Sequence, residues 1–167
     1  MFNKLLIIKN PFLPICKSLY FSFIILFFSC QNLSNMSSLS MHAFRLKPGQ
    51  LLKEEIQKIV IEKQIKAGWI STCVGSLTQY NIRFANQPVS FKDNGHFEIV
   101  SLTGTVSING SHLHISISDS TGKTVGGHLL DSNIVFTTAE IILLYTNDVE
   151  FKRQKDGTTD WEELQVN

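Results

Sequence analysis

Three of the five histidines fall within seventeen residues, as His112-Leu113-His114 and as His128 after Gly126-Gly127. A neutral imidazole is a good ligand for a borderline divalent cation, and it is neutral above about pH 6.5. On a strand, residues i and i+2 point the same way, roughly 6.5–7 Å apart at Cα. His112 and His114 can therefore converge on one ion, and a third imidazole from a neighbouring strand would complete the set. Three histidine ligands leave a coordination position open for water or substrate, which is the catalytic form of a zinc site. Zn²⁺ suits such donors, and Ni²⁺, Co²⁺ or Fe²⁺ could take them. Two histidines on a polar strand face describe a solvated surface equally well, so His128 decides between the two. Gly126 and Gly127, lacking Cβ atoms, would let backbone approach closely and set His128 at a bend.

A reaction at such an ion would need a group to move a proton. Glu140 lies in an otherwise apolar, β-rich segment, where burial would raise its pKa; the competing role is a carboxylate at the surface or a subunit interface. Glu98, between Phe97 and Ile99, is a second candidate, and Arg83 could hold an anionic substrate or simply be solvated. His42 and His96 read as exposed side chains apart from the site. Cys16 and Cys30 precede the folded region and leave Cys73 alone, so no internal disulfide or thiolate zinc cluster is open to it.

Periodicity gives the elements that must position these residues. Residues 43–46 are a short extended segment, followed by the turn Lys47-Pro48-Gly49. Residues 51–66 make the one good helix, with Leu52, Ile56, Ile59, Val60 and Lys63 in one stripe and Gly68 closing it. After Gly68 the chain has strand chemistry. Residues 69–74 form a strand broken by Gly75-Ser76, and Tyr80, Ile82 and Phe84 alternate in another. Residues 86–95 are a loop with Asp93-Asn94-Gly95 as its turn. Residues 97–108 form one long strand with a bulge at Gly104, and Asn109-Gly110 is a hairpin turn into the histidine strand. There Leu113, Ile115 and Ile117 take the buried face, and His112, His114, Ser116 and Ser118 the polar one. Residues 124–130 return with His128, and 134–145 form the last strong strand. The tail holds at most an edge strand and an irregular end. This order predicts an α+β domain, one main helix packed on largely antiparallel β-sheets.

Residues 1–30 differ in character. Lys4, Lys9 and Lys17 accompany an apolar run over 19–28, interrupted at Ser22. The run is too short for a membrane-spanning helix, which needs about 20 residues, but it suits a signal peptide. Leu26-Phe27-Phe28-Ser29-Cys30 resembles a loose lipobox. Lipidation of Cys30 would anchor the chain to a membrane, with 31–40 as a tether and 41–167 as the domain. Translation from Met36 or Met41 would give a cytoplasmic protein instead. From Met41 onward 12 basic residues face 14 acidic ones, because three lysines and no acids lie upstream. The single basic cluster, Lys152-Arg153-Gln154-Lys155, is flanked by Asp148, Glu150 and Asp156. Nonspecific nucleic-acid binding is mostly phosphate neutralisation, and this balance argues against it.

A series of short segments occurs along residues 43–145: Phe44-Arg45-Leu46-Lys47-Pro48-Gly49, Gly75-Ser76-Leu77, Gly95-His96-Phe97-Glu98-Ile99-Val100 and Ser101-Leu102-Thr103-Gly104. His112-Leu113-His114-Ile115-Ser116, Val125-Gly126-Gly127-His128-Leu129 and Thr138-Ala139-Glu140 continue it. Together they resemble the PPC (plants and prokaryotes conserved) domain. The resemblance implies an α+β fold assembled as a homotrimer, with protein contacts through Gly95, His96, Phe97, Glu98, Ile99 and Val100. It also implies a metal held by His112, His114 and His128, as in the prokaryotic branch. The Arg-Gly-Arg-Pro AT-hook of plant members is absent, so DNA binding inherited from them is poorly supported. The fold class is also similar to acetolactate decarboxylase, a zinc enzyme with a His-x-His pair, although the spacing to its third histidine differs. Three functions follow: a trimeric metal-binding module with a regulatory or small-ligand role, a metal-dependent lyase or hydrolase on a small carbonyl or carboxylate substrate, and a DNA-binding regulator.

Overall fold

Alternating apolar and polar residues commit most of residues 38–167 to strands, and one 3.6-period stretch to a helix. The structure, a computed structural model, describes residues 38–167; the leader, with Cys16, Cys30 and Met36, lies outside the described residues. Strands β1 (Ser40–Leu46), β2 (Ala67–Arg83), β3 (Phe91–Ser107), β4 (Gly110–Ser118), β5 (Thr124–Leu129) and β6 (Ile134–Thr146) form one sheet in the order β1-β6-β2-β3-β4-β5. All its pairings are antiparallel. Helix α1 (Leu52–Glu62) follows β1, and β7 (Phe151–Gln154) pairs with β8 (Glu163–Val166) as a separate hairpin. This is the expected α+β arrangement.

Helix α1 buries Leu52, Ile56 and Val60, and places Glu54 and Glu55 in its first turn, where the helix dipole favours acids. It stops before the expected end. Gln64 takes a left-handed φ of 53°, and its Nε2 donates to the Ile61 carbonyl at 2.9 Å, so Gln64 does the terminating work expected of Gly68. Gly68 lies inside β2. The core joins α1 to Leu113, Ile115 and Ile117 of β4, Leu102 and Val106 of β3, Leu129 of β5 and Ile141 and Leu143 of β6. Each such side chain contributes about 1.5–3 kcal/mol on burial.

Several turn signals are overridden by pairing. Strand β2 runs unbroken through Gly75-Ser76, and a Cβ at Gly75 would overlap the Thr138 carbonyl of β6. Asp93-Asn94-Gly95 is strand rather than turn: Asp93 faces Tyr80 and Asn94 faces Gln79, so β3 starts at Phe91. Gly104 is not a bulge. It stays in register with Leu113, and a Cβ there would overlap the His112 carbonyl. The β3–β4 register shift falls instead between Ile99 and Ser101. The hairpin turn is Ile108-Asn109, and Gly110 opens β4 with φ 120°.

One change of partner positions the site. Strand β6 accompanies β2 as far as Gln79; beyond it β5 takes over that edge, with Ile82 opposite Leu129 and Arg83 opposite His128. Strands β2, β3, β4 and β5 thereby close into a circuit. Asn133, fully buried, pins the change-over. Its Oδ1 accepts from the Asn81 backbone N–H at 2.8 Å, and its Nδ2 donates to the carbonyls of Asn81 and Leu130.

Candidate metal centre

Strand alternation turns Leu113, Ile115 and Ile117 into the core and leaves His112 and His114 on the outer face of β4. Register supplies the third ring: His114 lies directly opposite His128. Continuing that row across the circuit gives Arg83 on β2, then His128, His114 and Thr103 on β3. Gly126 and Gly127 permit the approach. A Cβ on Gly127 would stand 2.5 Å from the Arg83 carbonyl oxygen, and one on Gly126 2.8 Å from that of Ile115. The glycines act through close strand contact rather than through a bend.

The three imidazoles converge. Their ring centroids are 4.9, 5.0 and 5.6 Å apart, and one ring nitrogen from each lies within 4.8 Å of the other two. Nε2 of His112 and Nε2 of His114 are 3.1 Å apart. Zn–N bonds of 2.0–2.1 Å in a tetrahedron would put ligand nitrogens about 3.4 Å apart, close to that spacing. Nδ1 of His128 is buried without a hydrogen-bond partner among the described residues. An unpaired buried polar atom costs about 1–3 kcal/mol, which coordination would offset. The donor set therefore fits a divalent cation with a nitrogen preference.

The electrostatics favour neutral, ligating rings. Burial, then the neighbouring His112, Arg83, His114 and Lys53, pulls His128 down to about 4. Burial also lowers His112, reinforced by Arg153, His114 and Arg83 and opposed by Glu163. Arg153 and Glu163 belong to the hairpin β7–β8, which lies beside the histidines. With Leu164 and Thr105 they line a cleft of about 370 Å³ that exposes His112 and His114. Arg153 Nη2 donates to Thr105 Oγ1 at 3.0 Å, and the Arg83 guanidinium sits 5.0 Å from the Trp161 ring.

The other sequence candidates fall elsewhere. Glu140 is exposed on β6, opposite Arg45 and Val74, with β2 and β3 between its strand and β4. Of its two readings it takes the surface one rather than the buried acid, because it points to the outer face of its strand while Ala139 and Ile141 point in. Glu98 is exposed and faces Ser118 and Ser76. His96 is exposed and stacked on Phe136, while His42 is half-buried against Phe44 rather than exposed. Cys73 is buried, and burial pushes its thiol up to about 12. Sequence reasoning missed Arg153, Trp161 and Glu163 at the site. Their only signal was the basic cluster around Arg153, whose pairing partner lies beyond an irregular stretch.

The Plants and Prokaryotes Conserved (PCC) domain description matches residues 33–147. The chain belongs to this family. Among curated proteins, a Bifunctional protein GlmU from Synechococcus sp. (strain JA-3-3Ab) is 37% identical over 129 residues. That match covers 77% of this chain and 21% of the relative, so the PCC chain spans about a fifth of that protein. A solved structure from Salmonella cholerae-suis (Salmonella enterica) superposes with a TM-score of 0.77 at 35% identity, covering 80% of this PCC chain and 96% of its own. A metal-containing protein from Archaeoglobus fulgidus superposes with a TM-score of 0.69 at 25% identity, covering 78% and 96%. The hairpin β7–β8 lies beyond the segment that the family description matches.

Proposed function

We propose that this PCC domain is a metal-binding module that takes a small ligand at the open side of its three-histidine site and works as a homotrimer. The convergence of His112, His114 and His128 carries this reading, and the metal content of the Archaeoglobus relative supports it. His112 and His114 would ligate from β4 and His128 from β5. The lowered basicity of His112 and His128 keeps their lone pairs available at neutral pH. A bound divalent ion, with Zn²⁺ the natural fit to three imidazoles, would act as a Lewis acid toward an oxygen ligand. Two exposed apolar residues, Val74 on β2 and Val100 on β3, flank the Gly75–Ile99 pair, and Phe136 is exposed on adjoining β6. That patch on the Glu140 side of the sheet is the proposed trimer contact.

A second function is favoured by one observation: the cleft holds a carboxylate, Glu163, beside His112 and His114. A metal-dependent lyase or hydrolase acting on a small carbonyl or carboxylate substrate would use Glu163, not Glu140, to move the proton. Elemental analysis of the purified protein against His112→Ala/His114→Ala tests the metal site directly. The expected result is about one divalent ion per chain in the wild type and none in the double variant. Equal metal content in both would sink the site. Light scattering on the same samples tests the trimer through its mass.

A further inference from the structure

The histidine triad has two guanidinium neighbours for which ligating a metal gives no use. Arg83 reaches it from β2 and lies directly opposite His128. Arg153 reaches it from β7 and lines the cleft with His112 and His114. Both are half-buried. Neither has a carboxylate within 4.0 Å among the described residues. Half-buried arginines ordinarily find an acid, because a guanidinium offers five donors in a fixed fork and pays to leave water.

Both side chains are also held in place. Trp161 stacks against Arg83 at 5.0 Å, a cation–π contact that fixes the guanidinium without consuming an N–H donor. Arg153 spends one donor on Thr105 Oγ1 and one on the Glu162 carbonyl, at 3.0 and 3.4 Å. The hairpin itself is anchored: the Phe151 carbonyl accepts from Ser107 Oγ at 2.9 Å and Asn109 Nδ2 at 3.0 Å, and its N–H donates to the Lys66 carbonyl. Among the other charges nearby, Lys53 pairs with Asp131 at 3.0 Å. Glu163, the acid lining the cleft, accepts a hydrogen bond from Thr159 Oγ1 at 2.6 Å, and with Glu162 it attracts Arg153 through space without closing an ion pair. Imidazole ligands bring no negative charge, so a divalent ion together with Arg83 and Arg153 would outweigh the Glu163 carboxylate and leave the site net positive.

We propose that Arg83 and Arg153 form an oxyanion-binding wall beside the histidine triad, so that the ligand of this site is a small molecule bearing a carboxylate or phosphate group. The hairpin β7–β8 is then the specificity element, because it carries Arg153 and the Trp161 that holds Arg83. The planar forks match both oxyanions in bidentate geometry, and on the Arg153 side the cleft of about 370 Å³ has room for a small molecule. The proposal rests on the three-histidine reading for what the other end of the ligand meets. The part of the arginines does not depend on it.

The test is calorimetric titration of the full-length protein, zinc-loaded and zinc-free, with acetate, oxalate and inorganic phosphate, and with acetamide as the uncharged match to acetate. Arg83→Gln, Arg153→Gln and Trp161→Ala are titrated alongside, with zinc content measured on every sample. The expected result is that the anions bind and acetamide does not. Each arginine variant should weaken anion binding about ten- to hundredfold while its zinc content stays at the wild-type level. Trp161→Ala should weaken it less, and retained zinc shows that each variant is folded at the site. Tighter binding of oxalate than phosphate identifies a carboxylate ligand, and the reverse order a phosphate. Acetamide binding as well as acetate, arginine variants binding like the wild type, or no anion binding in either form overturns the proposal. If the wild type takes up no zinc but still binds anions through its arginines, the metal reading fails and this one stands.

Discussion

The outer surface of one continuous sheet offers polar residues for chemistry in two places, and only one gathers them. On β4 and β5, His112, His114 and His128 meet because register sets His114 opposite His128, while i, i+2 spacing sets His112 beside them. On β6, Glu140 has the same outward aspect, but its neighbours across the strands are Arg45 and Val74. A reactive side chain on a strand becomes a site only when a neighbouring strand brings complementary groups to its row. Glycine makes close strand contact in both regions, Gly104 and Gly127 on the histidine side and Gly75 on the other. Close backbone approach is therefore common to the fold, and the histidines are what distinguish the two sides.

The strongest way to break this comparison is to remove the cross-strand ring. His128→Ala should lower metal affinity by more than the roughly 10–100-fold typical of outer-shell changes, measured by competition with a chromophoric chelator. An affinity within a factor of about three of wild type would mean that β5 plays no part in the site.

Next come the glycines. Gly104→Ala forces a methyl into the His112 carbonyl, and should cost about 3 kcal/mol in urea denaturation. Gly75→Ala forces one into the Thr138 carbonyl and should cost a similar amount. The two should part company in metal binding: among folded molecules, the change at Gly104 weakens it and the change at Gly75 does not. Equal metal loss in both would show that the site reports global stability rather than local register.

A smaller effect is expected at Asn133. Asn133→Ala takes the side-chain partner from the Asn81 N–H and the Leu130 carbonyl at a fully buried position, while the Asn81 carbonyl keeps the Leu130 N–H; the loss costs about 2 kcal/mol. It also loosens the place where β5 replaces β6 beside β2, so metal affinity should fall together with stability. A stable variant with unchanged affinity would show that Ile82–Leu129 and Arg83–His128 pairing alone holds β5.

Much of this was legible in the sequence, for physical reasons. Alternation in 112–118 assigns the histidines to the polar face, since Leu113, Ile115 and Ile117 must be buried. The His114–His128 pairing follows once a tight turn joins the two strands, and Asp119 makes that turn by accepting from the Thr121 and Lys123 N–H groups. Three of the errors share one cause. Gly75-Ser76, Asp93-Asn94-Gly95 and Gly104 carry local signals for turns and bulges, and long-range ladders override them. Nothing local marks β8 as a partner for β7 either: residues 155–162 between them are irregular, and the pairing is set by tertiary docking. Arg153, Trp161 and Glu163 were missed with it.

The smallest expected effect tests the other side of the comparison. Glu140 is exposed, makes no ion pair with Arg45 across the β1–β6 ladder, and Arg45 instead donates from Nε to Thr138 Oγ1 at 2.8 Å. Replacing its carboxylate by the isosteric amide removes one solvated charge and little else. Glu140→Gln should shift stability by less than about 0.5 kcal/mol and leave metal content as it was. The proposed trimer contact lies on this face, so the same variant has a second readout. If Val74, Val100 and Phe136 meet across subunits, three carboxylates approach one another near them, and their removal should tighten the assembly on dilution. Lost metal in Glu140→Gln would overturn the separation of the two sides, because no row of the sheet joins Glu140 to the histidines.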